Sequence, residues 1–104
     1  MANPFAGEVS VRINGVDHPC KLTLGALAEL ETTLGDGSLV DLVKRFETHA
    51  YSSRDVMALL VAGLRGGGWS GNSGDLLQVD FHGGPVGAAR VAAQLLVRAF
   101  TPPE

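Results

Sequence analysis

One run in this chain spells a chemical motif: Gly66-Gly67-Gly68-Trp69-Ser70-Gly71 satisfies G-x-G-x-x-G. In a dinucleotide site such glycines turn a strand tightly into a helix, so that backbone N–H groups meet a pyrophosphate. An acidic residue about 20 positions on then holds a ribose. Here the run follows a helical pattern, and the chain beyond it cannot supply the further strands of a nucleotide-binding sheet. No Lys-Ser or Lys-Thr follows, so it is not a phosphate-cradling loop either. Its composition predicts a flexible segment without regular structure over 66–74. Trp69 within it is open to two roles, a lid over the core or a contact residue at an interface.

Other residues have the right types for chemistry but the wrong grouping. His18 with Cys20, and Asp80 with His82, are metal-ligand types. Zinc takes three or four ligands in tight groups, and one Cys with dispersed His makes no such group. The plainer reading is a hairpin histidine and a small buried thiol. Ser, His and Asp all occur, yet no strand–Ser–helix elbow exposes a nucleophile. Glu29 and Glu31 lie two apart on a helical pattern, so they point different ways and make a poor acid–base pair. These patterns predict no catalytic, cofactor or metal site, and a protein that is not an enzyme.

The elements around these residues are strongly marked. Residues 1–7 read as a loose leader. Glu8 to Ile13 alternates apolar and polar residues, Asn14-Gly15 tolerates positive φ, and Val16 to Leu22 reads as the return strand. Pro19 removes a ladder hydrogen bond and places that strand at an edge or bulge. Thr23 opens a helix over Leu24 to Leu34, with Leu24, Leu27, Leu30 and Leu34 inward. Ser38 with Asp41 opens a second, carrying Leu39, Leu42, Val43 and Phe46 at core spacing. Ser52 with Asp55 opens a third, apolar nearly all round, with Arg65 in its last turn and Gly66 as a left-handed stop. Asp75 to Phe81 fits a helical turn or a strand. Pro85 begins a last helix, Val86 to Phe100, stopped by Thr101-Pro102-Pro103.

The expected fold class is therefore α+β, mainly helical. An N-terminal β-hairpin (8–22) leads into a three-helix core (23–65), a Gly-rich variable segment (66–84) and a C-terminal helix (85–100), about four helices in one small domain. At 104 residues the chain suits one core but not two. A net charge of −3 with scattered basic residues excludes a general nucleic-acid binder, which needs a concentrated basic face. The single cysteine gives no internal disulfide, and no apolar run approaches the ~20 residues that cross a bilayer. The N-terminus lacks the basic and apolar regions of a signal peptide, so a cytoplasmic location is expected.

The last helix has an unusual surface. Arg90, Gln94 and Arg98 recur every four residues as one polar stripe, and almost everything else on it is apolar. Alanines can be neutral helix formers facing solvent. Alternatively, one flank docks a partner subunit.

The order Gly-Glu-Val-Ser-Val-Arg-Ile-Asn-Gly (7–15), Leu-Gly-Ala-Leu-Ala-Glu-Leu-Glu (24–31), Ser-Arg-Asp-Val (53–56) and Gly-Leu-Arg-Gly-Gly (63–67) resembles a known family. It is the small protein family of tail-gene clusters in gene transfer agents and related tailed phages. The resemblance covers most of 7–68 and, more loosely, the last helix. It fails over Trp69 to His82, where the family is expected to carry a shorter charged helical segment. It implies one of two roles, a tail tube component or a relative of tail assembly chaperones. A tube ring needs substantial β-sheet and this chain offers one hairpin, so the expectation is a non-enzymatic assembly chaperone without cofactors. Its implied partners are tail proteins, namely the tape-measure protein or tube subunits, with homo-oligomers allowed, and neither nucleic acid nor membrane. The expected contact surface is Trp69 with Val91, Ala92, Leu95 and Ala99 on the outer flank of the last helix. The alternative is a structural tube or tube-end subunit retained in the particle, pairing through the hairpin edge. A third reading, a ligand-binding module at the Gly-rich loop, has no residue cluster that demands it.

Overall fold

A computed structural model describes residues 8–34, 39–71, 73–76 and 79–100. In chain order these form β1 (Val9–Ile13), β2 (Val16–Cys20), α1 (Leu24–Leu34), α2 (Leu39–Glu47), α3 (Ser53–Gly66), α4 (Ser73–Leu76) and α5 (Gly84–Phe100). The chain is an α+β domain, a two-stranded antiparallel hairpin followed by helices.

The hairpin follows from its sequence. Val9, Val11 and Ile13 are buried while Ser10 and Arg12 face out, the two-residue period of a half-covered strand. Asn14 (φ 51°) and Gly15 (φ 81°) take the left-handed conformations of a two-residue turn. That turn fixes the register, Ile13 opposite Val16 and Val9 opposite Cys20. Pro19 lies exposed opposite Ser10. Such a hairpin is marginal alone, and here a distant segment clamps it. The Asn14 N–H donates to the Asp80 carbonyl (2.9 Å), and the Asp80 N–H donates to Asn14 Oδ1 (2.9 Å). The His82 N–H donates to the Arg12 carbonyl (3.0 Å), so Phe81 bridges Ile13 as a one-residue third strand.

Around α3 the layers meet: α1, α5, β2 and α4 all pack on it. Its start is a full capping box. Ser52 Oγ accepts the Asp55 N–H (3.2 Å), and Asp55 Oδ2 accepts the Ser52 N–H (2.9 Å). Leu59, Leu60 and Leu64 are fully buried with Leu30, Leu42, Leu95 and Cys20. The helix ends later than its sequence suggests. Gly66 is still helical, Gly67 caps it at φ −87°, and the left-handed step falls on Gly68 (φ 106°). Gly66 and Gly67 have a different task. They lie against the carbonyls of Lys21 and Pro19, where a Cβ would strike backbone. The Lys21 N–H also donates to the Gly63 carbonyl (2.8 Å), so β2 is locked to the end of α3.

Two further expectations are corrected. Leu24 is 84% exposed instead of inward, because α1 buries the Ala26–Leu30 side with Leu27 and Leu34 against it. The 66–74 segment is not wholly irregular: the Trp69 N–H donates to the Leu64 carbonyl (2.9 Å), and α4 begins at Ser73. Within Asp75 to Phe81, left open between a helical turn and a strand, Asp75 and Leu76 lie in α4 (Ser73–Leu76) and Phe81 makes an isolated bridge to Ile13. The proposed Ser38 cap lies outside the described residues.

Candidate partner-binding surface

The surface in question is α5, held from below by α3 and β1. Gly83 (φ 82°) and Gly84 (φ 65°) turn the chain sharply into the helix. Ala88, Ala92, Leu95 and Leu96 form its buried face. Leu95 reaches the bare backbone at Gly63, whose missing side chain makes room for it. Residues on the other side carry the surface. Val86 (69% exposed), Val97 (65%) and Phe100 (51%) lie there with half-buried Ala93 between them. They recur at intervals that place them along one face of a helix. Arg90, Gln94 and Arg98 run beside them as a polar rail, and Arg98 Nε is buried without a hydrogen-bond partner.

This geometry corrects part of the expected contact set. Ala92 (0% exposed) and Leu95 (1%) belong to the core and present nothing to a partner in this fold. Val91 and Ala99 are half-buried at its margin and pack against the core. Trp69 is half-buried elsewhere, leaning on the core with its ring covered by Gly71. It borders a recess of about 350 Å³ with His18, Pro19 and Ser70, apart from the helix face. The exposed large apolar residues of this helix, Val86, Val97 and Phe100, lie outside the expected contact set. The sequence signal is partial: Arg90 and Gln94 mark a polar arc, with Val86 four before and Val97 seven after Arg90, but on a helix apolar nearly all round it does not say which flank is covered.

A second concavity of about 680 Å³ runs between α1 and α3. Leu30, Leu34, Met57 and Val61 line it, with two ion pairs at its rim. Glu29 meets Arg65 at 3.0 Å with both side chains well exposed. Arg45 holds Asp55 through two bonds, Nε to Oδ2 and Nη2 to Oδ1, both 2.9 Å. The Arg45 hydrogen bonds hold the Asp55 carboxyl below the usual carboxylate range, against burial that would raise it, with the Ser52 N–H helping. Burial pushes the Cys20 thiol up to about 12. Among the described residues no three His, Cys, Asp or Glu side chains group as metal ligands. No helix there is long and apolar enough to cross a membrane.

A mostly helical body, a hairpin clamped at its tip and an apolar helix face suit binding to protein. The family model described as phage tail tube protein, GTA-gp10, matches residues 6–101. The chain belongs to this family. The match reaches across Trp69 to His82, the stretch where the sequence departs from the expected pattern, and through the whole of α5. No curated protein and no solved structure matches the chain. Membership makes this a protein of a gene transfer agent and phage tail family.

Proposed function

We propose that this chain is a structural component of a phage-like tail, built into the tube or tube end and acting by protein contact without catalysis. The family match over residues 6–101, with its tail tube description, is the observation that carries this reading. It reverses the order of preference drawn from the sequence, where a chaperone stood first. The partners on this reading are neighbouring tail proteins, including further copies of the chain, and the place of action is the assembled particle.

The chaperone reading stands second, on one specific observation. Among the described residues the only sheet is β1–β2, extended by a single bridge at Phe81, which is little strand for a tube wall. On that reading the chain holds tape-measure or tube proteins during assembly and then leaves.

Quantitative mass spectrometry of finished particles, alongside the lysate that produces them, separates the two. A structural component is recovered at many copies per particle. A protein abundant in the lysate, bound to a tail protein and lost from particles, would overturn the structural reading and establish the second.

A further inference from the structure

Two outward helix faces of this molecule are complementary to each other. The helix α1, Leu-Gly-Ala-Leu-Ala-Glu-Leu-Glu-Thr-Thr-Leu, carries two acids and no base, whereas α5 carries two arginines and no acid. On α1 the outward stripe is Leu24, Ala28 and Glu31, all exposed. On α5 it includes Val97, half-buried Ala93 and Arg90. Glu31 and Arg90 make no ion pair among the described residues, unlike Glu29, which Arg65 occupies. We propose that these faces are the two halves of one head-to-tail contact, α5 of one copy lying antiparallel on α1 of a second copy.

The spacing sets the register. Going up α1 from Leu24, the stripe advances by four and then three residues. Going down α5 from Val97, it does the same. Leu24 therefore meets Val97, Ala28 meets Ala93, and Glu31 meets Arg90. Two alanines at the centre let the axes approach to about 8 Å, the close end of helix packing. Antiparallel alignment also sets each helix's positive end beside the other's negative end. Pairing α5 with itself would instead set arginine rails against each other and leave Glu31 unused. Because the two patches differ, the contact leaves a free α1 on one end and a free α5 on the other. Repetition then builds a ring or an open filament. The inference deepens the structural reading above, on which it rests, by naming a copy of the chain as the neighbour.

The test is sedimentation of the purified full chain over a range of concentrations. Wild type is expected to grow past dimer as concentration rises. Leu24→Asp and Val97→Glu each spoil one face, and each is expected to weaken self-association about tenfold or more, since a charge is then buried against an apolar partner. Their equimolar mixture is expected to form a capped dimer, because the first keeps an intact α5 and the second an intact α1. Arg90→Glu is expected to weaken association, and adding Glu31→Arg to the same chain to restore it. Unchanged far-UV spectra and melting establish that the variants fold, and the charge swap carries the test if either apolar variant does not. A monomeric wild type, Leu24→Asp associating as wild type does, or a mixture no stronger than its components would each overturn the proposal. The experiment contains no particles. A chain that self-associates in this way yet is absent from particles would therefore sink the structural reading alone.

Discussion

At the scale of single residues, Asp55 has the most to do. It closes the capping box of α3 and accepts both bonds from Arg45, tying the end of α2 to the start of α3. Its side chain is only 9% exposed, so losing it leaves a half-buried guanidinium without its partner. Asp55→Asn is expected to cost about 2 kcal/mol at neutral pH, read by urea unfolding. The carboxyl is held below its ordinary pKa when folded. Its contribution is thus complete above the unfolded value, about 4, and drains away as pH falls through the lower folded value. The gap between wild type and Asp55→Asn should accordingly close in acid, and a gap unchanged at low pH would mean the carboxylate's charge is immaterial. Cys20 gives a second prediction. With its thiol at about 12 and no exposed surface, it should resist alkylation at mild alkaline pH until the protein unfolds. Labelling of the native protein at the rate of a free thiol would show the β2–α3 seam to be open.

Elements are joined here by close approaches that only glycine permits. At Gly66 an added Cβ meets the Lys21 carbonyl, which is backbone and cannot step aside. At Gly63 it meets Leu95 Cδ1 at 2.7 Å, the far end of a flexible side chain. Gly66→Ala should therefore destabilise the fold by about 3 kcal/mol and Gly63→Ala by about 1–2 kcal/mol, measured by chemical denaturation. The reverse order would mean that α3 and β2 can separate more easily than Leu95 can turn. Local signals in the sequence located these elements well. Asn14-Gly15 fixed the hairpin, and Ser52 with Asp55 fixed the start of α3, because turns and caps depend on a few adjacent residues. For the same reason Gly66 reads as a left-handed helix stop, although that step falls on Gly68. A glycine needed by a neighbouring strand looks no different, locally, from one needed for a left-handed turn.

For the whole molecule, the question is which faces remain outside once the core has closed. Leu42 and Leu95 are sealed in, while Leu24, Val86, Val97 and Phe100 stay in contact with solvent. That distribution leaves exposed apolar residues on α1 and α5, with Val16 on β2 and Val40 on α2 exposed as well, and the sedimentation experiment probes the first two. The amino-acid sequence by itself determined the hairpin, the helix starts near Leu24 and Ser53, and the family to which the chain belongs. Each of these is carried by residues close in sequence or by their order along the chain. Only the tertiary structure decided that Ala92 and Leu95 are core while Val97 and Phe100 are surface. On a helix apolar nearly all round, composition cannot tell which side is covered, and the phase is set by where α3 and β1 lie against it.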